Sequence, residues 1–138
     1  MIVGLPELKG HLRTDPNSTH EDALIAAYAE AAEQQIINWI GRPVYATEAE
    51  LPAIGAPGYD PEQIVAPAAV RVAVLMMTDR FYTNRGAATS VTHGGDGVSS
   101  DDAVPPPGVR ALLAGLRVYS RPPVPAGDLR TGDPLTWL

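Results

Sequence analysis

Three short clusters hold residue types that could do chemistry. His20, Glu21 and Asp22 are adjacent, and an imidazole beside two carboxylates is raw material for acid–base work or for a cation site. His93 and Asp96 could approach one ion, and Gly94-Gly95-Asp96-Gly97 has the glycine density of a phosphate cradle. Asp101 and Asp102 form a carboxylate pair in sequence. None of these completes a constellation. Side chains at 20–22 diverge at a helix start, where acids answer the helix dipole. The glycine run lacks the preceding strand and following helix of a phosphate site, and no further His or Cys stands at ligand spacing from His93. Neighbouring aspartates do not converge on a cleft. No nucleophile, base and orienter can be assembled, so the sequence predicts no catalytic residue, no metal and no cofactor.

The elements that would have to position such groups are helices. Residues 5–13 predict a short helix, with Pro6 in its first turn and Leu5, Leu8 and Leu12 on one face. Asp15-Pro16-Asn17 breaks the chain, and Ser18 with Glu21, or Thr19 with Asp22, reads as a capping box for a long helix over about 19–40. In that helix Leu24, Tyr28, Ala31, Ile36, Trp39 and Ile40 are the predicted packed stripe. Gly41 and Pro43 specify its stop. Residues 44–66 read as a long loop with one helical turn. A helix over 67–85 follows, with Val70, Ala73, Val74, Met77 and Phe81 as its core stripe and Val72, Leu75, Met76 and Tyr82 on other sides. It is apolar over more than one face. Residues 87–104 are rich in Gly, Ser, Thr and Asp and predict a mobile segment. Pro107-Gly108 opens a last short helix with Val109, Leu112, Leu113 and Leu116 inward, and from Ser120 the prolines favour an extended chain.

The fold class expected is mainly α: a small bundle of three to four helices with long loops, residues 1–119 as the helical domain and 120–138 as an extended C-terminal arm. A length of 138 residues fits one domain, and 13 Gly with 14 Pro keep its core small. There is no Cys, which excludes a disulfide framework and thiolate chemistry. The most apolar stretch, 72–77, is far too short to span a bilayer, so a soluble protein without membrane contact is expected. The formal charge of −6 argues against gripping nucleic acid, since no concentrated basic surface is available to neutralise phosphates. That weighs against a helix-turn-helix DNA-binding regulator, the chief rival reading, and scattered carboxylates give little to a small hydrolase. Nine of the ten basic residues are Arg, a side chain suited to forked interface contacts.

Four motifs recur in a telling order: Leu8-Lys9-Gly10-His11-Leu12-Arg13; Ala31-Ala32-Glu33 running to Gly41-Arg42-Pro43; Arg80-Phe81-Tyr82-Thr83-Asn84-Arg85; and Gly108-Val109-Arg110-Ala111-Leu112-Leu113 ending Arg117-Val118-Tyr119. In this order, over 5–119, the chain resembles the head-tail connector (adaptor) proteins of long-tailed bacteriophages. The resemblance implies a structural, helical protomer that assembles as a ring, typically twelvefold, beneath the portal protein. Such a ring lies in the virion neck, is assembled in the host bacterial cytoplasm, meets the next neck or tail-completion protein, and lets double-stranded DNA pass without sequence specificity. Other head-completion or tail-completion proteins are the near alternative, and those are more often β-rich. Within the matched part Arg80, Arg85, Arg110 and Arg117 are the candidate portal or subunit interface residues. Beyond it, Arg121, Leu135, Trp137 and Leu138 are candidates as anchors of a docking arm. Tyr28, Trp39, Phe81 and Tyr82 are expected in the core. The 44–66 connection, the glycine-rich 87–104 segment and residues 120–138 depart from the family pattern.

Overall fold

Helix propensity and stop signals divide the chain much as its punctuation suggests. The computed structural model describes residues 1–85 and 105–119. Its elements are α1 (Leu5–Leu12), α2 (Asp22–Ile40), β1 (Val44–Tyr45), β2 (Ile64–Val65), α3 (Ala68–Thr83) and α4 (Pro107–Leu113), with short 3-10 turns at Glu48–Glu50 and Ala114–Leu116. The glycine segment at 87–104 and the arm at 120–138 lie outside the described residues.

α2 and α3 form the central pair, α1 packs on both, and α4 packs on α3. The seam between them is made of small and branched side chains: Ile25, Ala29, Ala32, Ile36 and Ile40 from α2, and Val70, Ala73, Val74 and Met77 from α3. Alanines at the centre let the two backbones approach, and the branched residues fill the ends. Leu8 of α1 and Val109 and Leu113 of α4 close the same core. Thr78 is buried as well, and its hydroxyl donates to the Val74 carbonyl at 2.7 Å, so it carries no unmet polar group inward.

The stripe expected on α2 is out of register. Leu24 is 36% exposed and Ala31 is exposed, while Ile25, at 1%, and Ala32 are buried. Ile36 and Ile40 are inward as expected, and Tyr28 and Trp39 are half-buried beside the seam. The expected capping box does not form. α2 begins at Asp22, Glu21 stands at its N-cap without a side-chain cap bond, and Ser18 and Thr19 precede the helix. The stop is as specified. Gly41 takes φ 74, and its amide donates to the Ile37 carbonyl at 3.0 Å.

The 44–66 connection is more ordered than the expected loop. β1 and β2 pair in parallel, Val44 with Ile64 and Tyr45 with Val65, through Ile64 N–H to Pro43 O at 3.0 Å and Ala66 N–H to Tyr45 O at 2.8 Å. Two-residue strands are too short to show alternation, which is why the sequence pattern conceals them. Among the described residues no helix is long and apolar enough to cross a membrane.

Candidate functional site

α1 and α2 are joined by residues 13–21, and this link is fastened by one cation. Arg13 closes α1 in the left-handed conformation at φ 57. Lys9, 6% exposed, then reaches across the gap, donating to the Ser18 carbonyl at 2.6 Å and the Pro16 carbonyl at 3.4 Å and pairing with Asp22 at 2.5 Å. A buried ammonium needs this many partners, because each unmet donor would carry its full desolvation penalty. Glu21, next along, accepts from the Tyr82 hydroxyl and from Arg85 at 2.8 Å, tying the start of α2 to the last turn of α3. The Tyr82 hydrogen bond, and after it the one from Arg85, holds the Glu21 carboxyl below its ordinary value. The same contact with Glu21 raises the Tyr82 phenol and the Arg85 guanidinium above theirs.

A cavity of about 260 Å³ lies here, lined by Lys9, Thr14, Asp15, Ser18, Glu21, Asp22 and Ile25. Its charged groups already have partners: Lys9 pairs with Asp22, Glu21 accepts from Tyr82 and Arg85, and Asp15 accepts from the Asn17 amide. His20 points away as an exposed residue, and among the described residues no three His, Cys, Asp or Glu side chains gather as a metal site. Glu21 and Asp22 work as a clasp between helix ends. Its partners, Lys9, Tyr82 and Arg85, were invisible as such in sequence, since two of them stand about sixty positions away.

The arginines divide by use. Arg85 is paired with Glu21 and lies over the Tyr82 ring, 4.9 Å from its centroid. Arg117 is held between two aromatic faces, 4.3 Å from the Trp39 ring and 4.6 Å from the Tyr119 ring. Arg80 and Arg110 are exposed on α3 and α4. Arg71, which the motifs did not single out, secures the N-terminal segment by donating to the Ile2 carbonyl at 2.9 Å and pairing with Glu7 at 2.6 Å. Phe81 and Tyr82 are half-buried against the core, Phe81 meeting Tyr28 with ring centroids 6.3 Å apart. Arg121, Leu135, Trp137 and Leu138 lie outside the described residues, as do His93, Asp96, the 94–97 glycine run, Asp101 and Asp102.

The surplus apolar face foreseen on α3 is present. Val72 and Met76 are one helical turn apart on the side away from α2, exposed by 43% and 39%. α4 extends the same surface. The Met76 methyl lies 3.8 Å from where a Cβ on Gly108 would be, and Leu112, one turn beyond Gly108, is 38% exposed. These side chains form an apolar strip across two helices, with Arg80 one turn beyond Met76.

The clasp ties the helix ends together, and Val72, Met76 and Leu112 lie exposed on α3 and α4. The family of phage gp6-like head-tail connector proteins matches residues 3–117. The chain belongs to that family. The connector is therefore a structural component of the virion that associates with other phage head and tail proteins. The match runs from the N-terminal segment that Arg71 secures to Arg117 on Trp39, so it takes in the four helices of the described residues. No curated protein and no solved structure matches the chain.

Proposed function

We propose that the connector assembles as a ring, twelvefold in the family's usual manner, beneath the portal protein, and that the ring continues the DNA channel toward the next neck or tail-completion protein. The observation that carries this is the family match over residues 3–117. Two features support it. The α3–α4 apolar strip is left uncovered by the other described residues, and a surface of this kind on a small domain is suited to a protein neighbour. The formal charge of −6 suits a channel wall that DNA passes without sticking. Arg80 and Arg110 are the exposed candidates for portal or subunit contacts, and Arg85 and Arg117 join them by exchanging their internal partners for a neighbour's. Residues 121–138 act as a docking arm on the portal or on an adjacent subunit, with Arg121, Leu135, Trp137 and Leu138 as its anchors. The virion neck is where the protein resides, after assembly in the host bacterial cytoplasm.

The test is reconstitution on portal-bearing capsids lacking the connector, read by electron cryomicroscopy. A ring of density below the portal, absent without added protein, is expected. Failure of the purified protein to bind those capsids would overturn the reading. Trp137→Ala should reduce incorporation while leaving the far-UV helical signal intact, and unchanged incorporation would remove the arm from the proposal.

A further inference from the structure

The end of α2 and the chain that crosses it hold bases and no acids, in a protein that is acidic overall. Residues 34–47 and 105–119 contain Arg42, Arg110 and Arg117 and neither Asp nor Glu, within a chain of formal charge −6. Arg42 is committed to Glu62, at 2.7 Å. Lys9, Arg71 and Arg85 are paired with carboxylates of their own chain as well. Arg117 is held without being neutralised. The Trp39 and Tyr119 rings fix its half-buried guanidinium, with centroids 4.3 and 4.6 Å away, and the Val118 amide fixes the adjoining backbone on the Ile40 carbonyl at 2.7 Å. Among the described residues no oxygen accepts from its N–H groups. Stacking uses the flat faces of a guanidinium and leaves its donors, which all lie in the plane, for an acceptor at the edge. Arg110 also has no acceptor among the described residues, but no ring holds it.

We infer that Arg117, seated on Trp39 and Tyr119, receives a carboxylate from the next copy of the connector. This inference rests on the ring reading above and names one contact within it. Copies that each carry a charge of −6 repel one another, so a stable contact between them has to set the uncommitted cations of one copy against acids of the other. The acids are at hand. Glu30, Glu48 and Asp79 are exposed and have no basic partner among the described residues. A carboxylate matches the fork of a guanidinium in plane and spacing, and a side chain already fixed by stacking loses less rotamer freedom when that partner arrives. The rival acceptor is a DNA phosphate, which the net charge and the lack of clustered bases disfavour.

The test uses full-length chain. Arg117→Gln keeps a polar side chain of similar reach and removes the charge and the fork, and its self-association is read by sedimentation velocity, with far-UV circular dichroism and urea unfolding to establish that it stays folded. Association should weaken by about tenfold to a hundredfold, the loss expected from one charge-assisted contact. A second variant identifies the acceptor. Lys9, which is buried, is the sole lysine of the natural chain, so Arg117→Lys sets its new side-chain amine against almost no background. Carbodiimide couples an amine to a carboxylate in contact with it, and in a mixture of isotope-labelled and unlabelled Arg117→Lys chains, mass spectrometry should find position 117 joined to an acidic residue of the other label. Coupling confined to a single chain, or a parent that assembles while Arg117→Gln assembles equally well, overturns this contact and leaves the ring standing. So does binding of duplex DNA by the parent at physiological salt, read by anisotropy and lost in Arg117→Gln, which would give the site to phosphate. A parent that fails to associate at all, with or without portal, overturns both.

Discussion

Residues 1–4 and 46–63 are both irregular chain, and they are fastened in opposite ways. The N-terminal segment is tied to the core. Ile2 and Val3 are buried, the Ile2 amide donates to Glu33 at 2.5 Å, and Arg71 takes its carbonyl. The excursion is tied mainly to itself, its 3-10 turn at Glu48–Glu50 buries no residue, and Ile54 faces water. Irregular chain whose apolar groups go inward serves stability. Irregular chain that is held by its own hydrogen bonds and sends them outward adds little to the core.

The sharpest way to break this contrast is to place one charge in each segment. Val3→Asp buries an unpaired carboxylate where exposure is 0%, and should cost about 4 kcal/mol or more, a large part of a small domain's stability. Ile54→Asp in the monomer should change stability by about 0.5 kcal/mol at most. Urea unfolding of both variants at low protein concentration measures the difference. Equal losses would mean that Ile54 belongs to the core of its own domain.

Two further irregular stretches belong with the N-terminal segment and rank next. Lys9→Met strips the 13–21 link of its central donor and leaves Asp22, with only 27% of its side chain exposed, facing no cation. A loss of about 3 kcal/mol is expected, most of it recovered in the double variant Lys9→Met with Asp22→Leu. Residues 117–119 cross the end of α2, where the Val118 amide donates to the Ile40 carbonyl at 2.7 Å. A Cβ on Gly41 would stand 2.7 Å from the Val118 oxygen, at a backbone φ of 74. Gly41→Ala should therefore cost about 2 kcal/mol and lift Arg117 from the Trp39 ring. In a Trp137→Phe background, a change in Trp39 fluorescence reports that movement.

How far these features were legible in sequence depends on their range. Helix existence and the Gly41 stop follow from local pattern and were readable, as was the surplus apolar face of α3 at Val72 and Met76. The α2 register was not. Leu24 weighs heavily in any hydrophobic count, yet the seam with α3 is built on Ala29 and Ala32, whose merit is small size against a facing helix. The start of α2 was misplaced for a similar reason: Lys9, from another helix, holds Ser18 outside it. The parallel β1–β2 pair joins residues about twenty apart with no alternation to announce it. The motif arginines read as candidates for forked interface contacts, whereas Arg85 and Arg117 are engaged within the chain by partners that spacing does not reveal.

The smallest expected effect is also the one whose sign is most informative. Glu21 ends the 13–21 link, and its carboxyl is held below its ordinary value in the folded protein, first by the Tyr82 hydroxyl and then by Arg85. A carboxylate depressed on folding adds stability above its unfolded value, and that contribution is lost as pH falls through the folded value. Stability of the parent and of Glu21→Gln should therefore differ most from neutral pH down to the ordinary carboxylate range, and converge as the solution is acidified further. Tyr82→Phe should erase more of this pH dependence than Arg85→Met, because the phenol hydrogen bond is the larger cause. Salt should reduce mainly the Arg85 share, since that pair is solvent-exposed and screened. Urea midpoints of the four proteins across acidic pH read the outcome. A gap between parent and Glu21→Gln that stays constant with pH would mean that the clasp acts through shape alone and that the charge on Glu21 does nothing for the fold.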